Sequence, residues 1–361
     1  TFGKFLAVFF SVAIILALGF MGCMVQSNSI TSAIENVVAS PVLFTFGGVS
    51  ITYTAVIVGA VIAAIAAFIF LGGIQRIASV TEKLVPIMAC LFLLGGVVIL
   101  ICRIQYIPQT IGMIFSYAFT PSALIGGGIG YALKTAISQG AKRGLFSNEA
   151  GIGSVPNVSS SADVKHPVKQ GLMQSVGVLI DTLVVCSATA FMIIIYTNAA
   201  YPGYNFAELG LAGTLNGVPL VAEALGATML GAAAPYVLSI FMLVFAFSSL
   251  ISYYSMSETN LKFITEKKGS VVVLRVIIVA MVFFASMMSM GLAWDLADTF
   301  QALMGIFNTA IILFLGKYAF AALKDYFDQR GEGVEEPVFD PSCLPSQKGI
   351  TCWPAKEDKE E

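Results

Sequence analysis

Eight long apolar segments restrict this chain to one environment. The sequence is 57% hydrophobic and 11% charged over 361 residues, whereas soluble domains carry about 25% charged residues. A helix of ~20 residues crosses the hydrocarbon core of a bilayer. We therefore predict an all-α, multi-pass integral membrane protein with spans near residues 5–34, 51–71, 84–102, 124–141, 172–196, 235–254, 271–290 and 300–322.

The positions of the basic residues predict the orientation. Loops with Lys or Arg alternate with loops that lack them, and every base except Arg103 falls on one side. The positive-inside rule makes that side cytoplasmic. In a plasma (inner) membrane, both ends of the chain and the loop with Arg143 are then cytoplasmic. The loop with Asp295 and Asp298 is on the opposite, external side.

Three further expectations concern polar segments. Residues 331–361, rich in Pro, Gly and charge, are predicted to form a cytoplasmic tail without a core, after a membrane domain of residues 1–330. His166, the single histidine, lies in a loop, and we expect it to be solvated because metal sites need clustered ligands. Glu258 is expected to pair with Lys262 one helical turn later.

The sequence offers no catalytic constellation. It contains no GxSxG, no HExxH and no Walker lysine, and the GxG at residues 128–130 lacks a preceding strand. The pattern therefore indicates a protein other than an enzyme, without a cofactor.

Polar groups at membrane depth mark candidate binding sites. Gly126, Gly127 and Gly128 interrupt an apolar segment, and an unwound helix offers backbone groups to an ion or solute. Gln26 and Asn28, two residues apart, cannot share one narrow helix face. Their amides offer donors and acceptors to a cavity, or hydrogen-bond between helices.

Hydroxyl and carboxyl groups in later spans add two candidates. Ser248 and Ser249 carry oxygens that suit a hard cation such as Na⁺, although a serine can equally bond to a carbonyl one turn back. Asp181 is the carboxylate deep in the fifth span, where an acid relays protons or serves as a hydrogen-bonded structural group.

The block GLFSNEAGIGS at residues 144–154, with HPVKQGLMQSVGVLIDT from residue 166, closely resembles the alanine or glycine:cation symporter family, also called sodium:alanine symporters. Agreement extends to QSNSI at 26–30, AFTPSALIGGGIG at 118–130, FAFSS at 245–249, YYSMSETN at 253–260 and PVFDP at 337–341. The resemblance covers nearly the whole chain, and SNEAG with the downstream HPVKQG is its most specific part.

This resemblance implies the leucine-transporter-type inverted-repeat fold of the APC superfamily, with eight of about eleven transmembrane helices present. The eight spans then look like core helices three to ten, and we expect an N-terminally truncated protein. The glycine run falls at the break of the sixth core helix. The segment SNEAGIGS falls on the cytoplasmic loop that follows, with Asn148 and Glu149 as gating or coupling candidates alongside Asp181.

The resemblance also assigns roles to residues. Ser248 and Ser249 are implied sodium ligands. The implied substrate-binding residues are Gln26, Asn28, Gly126, Gly127, Gly128 and Tyr253. Tyr253 stands where many relatives carry tryptophan, which affects side-chain selectivity.

The implied function is Na⁺-coupled symport of a small neutral amino acid, alanine or glycine, by alternating access. Its partners are the amino acid, Na⁺ and the lipid bilayer, with no nucleic acid. Two alternatives stay open. One is a proton-coupled transporter of the same fold with Asp181 or Glu149 as carrier. The other is a transport-incompetent membrane receptor or assembly fragment.

Overall fold

The computed structural model describes residues 2–119, 129–200, 217–226, 230–348, 350 and 353, which are mostly helical. The helices before residue 120 are α1 (Phe2–Ile14), α2 (Cys23–Glu35), α3 (Tyr53–Leu71), α4 (Gly73–Cys102) and α5 (Ile107–Phe119). The later helices are α6 (Ile129–Asn148), α7 (Val155–Ser159), α8 (Pro167–Ile180), α9 (Ser187–Ala200), α10 (Val218–Leu225), α11 (Ala234–Ile264), α12 (Lys268–Ala285) and α13 (Met290–Gly331).

Most of the predicted apolar segments correspond to helices that could cross a membrane. By length and composition, such helices run over Gly3–Glu35, Tyr53–Leu71, Pro167–Tyr196, Gly231–Ile264 and Met290–Gly331. Helices α4 and α5 form a further candidate, bent by 80° after Cys102, and α12 is apolar but shorter. The predicted span 124–141 begins outside the described residues. The all-α membrane class is therefore confirmed, and the count of eight spans stays a prediction.

Helices α2 and α11 pack against each other at the centre, with α1, α3, α12 and α13 around them. Small residues permit close approach: a Cβ on Gly59 of α3 would come within 2.8 Å of the Ser286 Cβ at the end of α12. Ser27 Oγ of α2 donates to the Val282 carbonyl of α12 at 2.7 Å. The polar segment of α2 is thus held inside the helix bundle.

Among the described residues, two of the candidate membrane helices contain π-helical segments. Ile15–Gly22 joins α1 to α2, and Asp181–Cys186 joins α8 to α9. A π-helical turn inserts an extra residue and rotates the side chains that follow it, and such turns are frequent at functional sites. The first segment ends four residues before Gln26, and the second begins at Asp181.

Strands β1 (Val42–Phe46) and β2 (Val49–Thr52) form an antiparallel hairpin between α2 and α3, in a region for which we predicted no element. Gly47 and Gly48, both with positive φ, make its turn. Thr52 then caps α3, because its hydroxyl accepts the Ala55 N–H at 3.0 Å.

The C-terminal segment is packed rather than free, and the expectation of a tail without a core is wrong for residues 331–343. The Phe339 N–H donates to the Lys165 carbonyl at 3.0 Å, and Phe339 is buried. His166 is fully buried, with Nε2 3.1 Å from Asp325 Oδ2 of α13. The prediction that His166 is solvated is therefore also wrong, since α13 and the tail enclose it.

One part of the charge-derived topology is also wrong. Arg143 and Asp298 were assigned to opposite membrane faces, yet Arg143 Nη2 lies 2.6 Å from Asp298 Oδ2. Asp298 lies inside α13, about two turns after its start at Met290, rather than in a loop. The end of α6 and the beginning of α13 are therefore at the same level.

Candidate functional site

A cavity of about 570 Å³ brings together residues that the sequence placed far apart. It lies between α2, the end of α6 and the middle of α11. Its lining residues are Gln26, Phe146, Ser147, Glu149, Phe245, Ser248, Ser249, Ser252, Tyr253 and Met256. Most of the candidate substrate, sodium and coupling residues that the structure describes thus line the same cavity.

Helix α11 supplies a face of hydroxyl groups. Ser248 and Ser252 are one turn apart, as are Ser249 and Tyr253, so the four side chains form two adjacent columns. Both Ser248 Oγ and Ser249 Oγ donate to the Phe245 carbonyl, at 2.8 and 3.2 Å. Because each hydroxyl has one proton, these bonds leave only oxygen lone pairs toward the cavity. Ser248 and Ser249 can therefore donate to the Phe245 carbonyl and serve as cation ligands at the same time.

Tyr253 connects three elements. Its hydroxyl lies next to the Glu149 carboxyl and the Gln26 side chain. Its ring packs on Gly22, where a Cβ would come within 2.8 Å of Tyr253 Cδ2. A side chain at position 22 would push the ring into the cavity.

Glu149 reaches this position through an unusual backbone turn. Its φ is 53°, the one positive value at a non-glycine residue in the described part of the chain. Such left-handed conformations cost energy in residues other than glycine and cluster at functional sites. Burial raises the pKa of the Glu149 carboxyl, and contacts with the hydroxyls of Ser154 and Tyr253 partly oppose that rise. The carboxyl therefore holds its proton more readily than an exposed glutamate does.

The segment after Glu149 is locked into the helix bundle. Asn308 Nδ2 of α13 donates to the Gly151 carbonyl at 2.7 Å. Gly153, at φ 91°, faces Phe10, and a Cβ there would lie 2.7 Å from Asn308 Cγ. Ile152 is 1% exposed and belongs to the central core. SNEAGIGS is thus packed between α11 and α13, and its position on the cytoplasmic side stays a prediction.

Asn28 lies outside the cavity wall. Its Nδ2 donates to the carbonyls of Ala285 at 3.0 Å and Met288 at 2.7 Å, at the end of α12. Gln26, by contrast, lines the cavity. The expectation that Gln26 and Asn28 occupy different helix faces is confirmed, and the substrate role of Asn28 stays a prediction.

Asp181 and Asn148 both lie beside the cavity, where the end of α6 contacts the π-helical segment. Ser147 Oγ donates to Asp181 Oδ2 at 2.7 Å, and Asn148 Nδ2 donates to Thr182 Oγ1 at 3.1 Å. These bonds tie the end of α6 to the π-helical segment that begins at Asp181. Since Ser147 also lines the cavity, Asp181 is one residue removed from it.

Gly126, Gly127 and Gly128, the predicted unwound site, lie outside the described residues. The predicted pair of Glu258 and Lys262 is confirmed, with Glu258 Oε1 2.7 Å from Lys262 Nζ. Glu258 also contacts Tyr254 Oη and Arg275 of α12. Tyr254 lies one turn before Glu258 on the same helix, whereas the contact with Arg275 could not be predicted because Arg275 lies on another helix.

Several lining residues were missed. Phe146, Phe245 and Met256 supply apolar surface, and nothing distinguishes them in the sequence from other buried side chains. Ser252 was visible as a third serine one turn after Ser248, and that spacing is the signal that could have included it.

Comparison with known proteins identifies the family. The family model "Sodium:alanine symporter family" matches residues 2–341. The chain is 36% identical over 356 residues to a protein of Bacillus subtilis named "Probable sodium/glutamine symporter GlnT", covering 99% of this chain and 68% of that protein.

Two further relatives agree. The amino-acid carrier protein AlsT of Bacillus subtilis is 33% identical over 358 residues, which is 99% of this chain and 70% of AlsT. The sodium/alanine symporter AgcS of Methanococcus maripaludis is 33% identical over 329 residues, which is 91% of this chain and 66% of AgcS. Two of these relatives are named as sodium symporters and the third as an amino-acid carrier, and the matching family is one of symporters rather than of enzymes. The chain therefore belongs to the sodium:alanine symporter family.

Proposed function

We propose that this protein imports a small neutral amino acid, alanine or glycine, together with Na⁺ by alternating access, on a leucine-transporter-type fold in the plasma membrane. The cavity between α2, α6 and α11 is the shared site for substrate and cation. One observation carries the proposal: the cavity wall combines hydroxyl oxygens whose protons are already bonded with a buried carboxyl group.

The cation role falls to Ser248 and Ser249. Both donate to the Phe245 carbonyl, which leaves oxygen lone pairs for a ligand. A hard monovalent cation prefers oxygen ligands. A hydroxyl whose proton is donated to a carbonyl presents its oxygen lone pairs, and not its proton, to the cation. These two serines therefore supply part of a Na⁺ coordination shell, in agreement with the sodium-coupled relatives.

The substrate role falls to Gln26 and Tyr253. The Gln26 amide offers a donor and an acceptor to the charged ends of an amino acid. Tyr253 contacts both Gln26 and Glu149, so substrate binding that moves its hydroxyl also changes the surroundings of Glu149. Relatives named for alanine and for glutamine indicate that side-chain selectivity varies within the family.

A second candidate is coupling to protons. The observation that favours it is Glu149, whose pKa is raised by burial at the cavity wall. A buried carboxyl group with a raised pKa is protonated more readily, so it can bind a proton and carry it with the substrate. In a proton-coupled mechanism, Glu149 carries the proton. Asp181, which accepts a hydrogen bond from Ser147, is the next proton acceptor.

Uptake of labelled alanine into proteoliposomes tests the proposal. We expect an inward Na⁺ gradient to drive uptake, and a pH gradient without Na⁺ to leave it at background. The Ser248→Ala, Ser249→Ala double variant should raise the half-saturating Na⁺ concentration roughly tenfold, or about 1.4 kcal/mol of lost cation binding. Uptake driven by the pH gradient alone would reject Na⁺ coupling and select the proton version.

Ser239→Ala is the matched control. Ser239 lies on the same helix, away from the cavity, and its Oγ lies 2.8 Å from the Pro235 carbonyl one turn back. The same Oγ lies 2.7 Å from the Ala33 carbonyl of α2, so this variant also controls for loss of a contact between α2 and α11. We expect its Na⁺ activation curve to match that of the wild type. Equal curves for the double variant and the wild type would remove these serines from the cation site.

A further inference from the structure

Phe146 brings an apolar ring to the transport cavity from α6. The other large apolar lining residues, Phe245 and Met256, both belong to α11 and lie about 16 Å apart along its axis, at the two ends of the hydroxyl face. Glu149, one turn after Phe146, lies next to the Tyr253 hydroxyl. The end of α6 therefore places the ring of Phe146 close to the proposed substrate position.

The ring of Phe146 is supported by Trp294 of α13. The two ring centroids are 4.7 Å apart, with an angle of 48° between the ring planes. Both rings belong to the apolar cluster around Val25 of α2, which is 1% exposed and directly precedes Gln26. Three elements that surround the cavity thus meet at this pair of rings, and the pair fixes where Phe146 stands in the cavity wall.

Trp294 is in turn held by a charged pair. Arg143 Cζ lies 4.4 Å from the centroid of the Trp294 ring, and Arg143 Nη2 lies 2.6 Å from Asp298 Oδ2. A planar guanidinium group can stack on an aromatic ring and pair with a carboxylate at the same time. Arg143 and Phe146 are one turn apart on α6, and Trp294 and Asp298 are one turn apart on α13. The facing residues of the two helices therefore hold each other in register.

We propose that Phe146 selects alanine over glycine by packing against the methyl group of the bound amino acid, and that Trp294 and Arg143 are positioning residues for its ring. This inference rests on the proposed function, in which Gln26 and Tyr253 bind the charged ends of the substrate. Glycine has no side chain to contact the ring. One methyl or methylene group in an apolar site changes binding by about tenfold or more, which is enough to separate these two substrates.

Equilibrium binding of labelled alanine and labelled glycine to the purified protein, at saturating Na⁺, tests this selection. The measured quantity is the alanine preference, the dissociation constant of glycine divided by that of alanine. We expect Phe146→Ala to weaken alanine binding about tenfold and to change glycine binding by less than about twofold. Phe146→Leu keeps an apolar side chain in the cluster around Val25 and should lower the preference by a smaller factor.

Variants of the supporting residues test the positioning role. Trp294→Leu removes the aromatic support, so the ring of Phe146 loses its fixed place and the alanine preference should fall as in Phe146→Ala. Trp294→Phe keeps a ring against Phe146 and should restore the wild-type preference. Arg143→Lys keeps a charge beside Asp298 but loses the planar contact with the indole ring, so we expect an intermediate preference.

Phe307→Ala is the matched control. Phe307 also lies on α13, and its ring centroid is 4.6 Å from that of Phe9 of α1, but it lies outside the wall of the transport cavity. This variant loses an aromatic contact between two helices. We therefore expect a lower melting temperature in detergent and an unchanged alanine preference, which separates a general loss of stability from a change in selection.

Equal weakening of alanine and glycine binding in Phe146→Ala, or no change in either, would overturn the assignment of Phe146. A wild-type alanine preference in Trp294→Leu would overturn the positioning role. If the wild-type protein bound neither amino acid, the proposed function itself would be rejected, so its failure is distinguishable from a failure of this inference.

Discussion

At the scale of single residues, the position of Tyr253 depends on a glycine. Gly22 lies against its ring, and a Cβ there would be 2.8 Å from Tyr253 Cδ2. Gly22→Ala therefore forces the ring toward the cavity, and overpacking of this kind costs about 1–3 kcal/mol. We expect a lower melting temperature in detergent and weaker alanine binding, measured on the same preparation.

Gly3→Ala is the control for that substitution. A Cβ on Gly3 of α1 meets nothing within 4 Å, so this variant should melt and bind alanine as the wild type does. If Gly22→Ala also behaved as the wild type, the contact between Gly22 and Tyr253 would have no role in shaping the cavity.

Glu149 should give the protein a pH-dependent stability. Burial raises the pKa of Glu149 in the folded state, so the fold favours the protonated carboxyl group. This stabilisation is fully present below the ordinary carboxyl pKa and is lost as pH rises through the raised pKa of the folded state. Glu149→Gln stays neutral at every pH. We expect the melting temperature of this variant to equal that of the wild type in acid and to exceed it at neutral pH.

Glu266→Gln removes an exposed carboxylate between α11 and α12 and controls for net charge. A melting temperature of Glu149→Gln that followed the wild type across the whole pH range would contradict the account of Glu149.

These residues also show what the sequence could reveal. The spacing of Gln26 and Asn28 predicted their separate faces, and the neighbouring serines predicted a polar patch on α11. The contact between Glu149 and Tyr253 could not be predicted, because it depends on a positive φ at a glutamate and on packing between residues distant in the sequence.

At the scale of elements, the tail and the loop before α8 form one packed unit around His166. Its Nδ1 accepts the Val168 N–H at 3.2 Å and caps α8, while Nε2 contacts Asp325. His166→Ala should destabilise this unit by about 1–3 kcal/mol, since both contacts are lost in a buried site. The measurement is the rate of proteolytic cleavage in residues 331–343, which should rise.

His166→Asn separates the two contacts. Asparagine is a good N-cap but is too short to reach Asp325, so we expect an intermediate cleavage rate. A cleavage rate in His166→Ala equal to that of the wild type would mean that His166 does not hold the tail.

Helices were predictable from long apolar stretches, but the joints between them were not. The π-helical segments and the hairpin at residues 42–52 depend on local hydrogen bonds that hydropathy does not report. The prediction of a tail without a core failed because the charged composition of this segment is typical of disordered segments. Phe339 and Pro341 are nevertheless buried and anchor it.

At the scale of the whole molecule, the bundle brings α2, the SNEAGIGS segment and α11 around one cavity. Hydropathy predicted the membrane class, whereas the charge-derived orientation failed at Arg143 and Asp298 because it treats the start of α13 as a loop. The sequence motifs identified the family, but hydropathy could not show that SNEAGIGS packs inside the bundle.

Equilibrium binding of labelled alanine to the purified protein, titrated with Na⁺, tests the central claim most directly. We predict that Na⁺ strengthens alanine binding in the wild type and in Ser239→Ala. In the Ser248→Ala, Ser249→Ala double variant, we predict that this effect shifts to roughly tenfold higher Na⁺. Alanine binding that is indifferent to Na⁺, or the same Na⁺ dependence in the double variant, would contradict a shared site in this cavity.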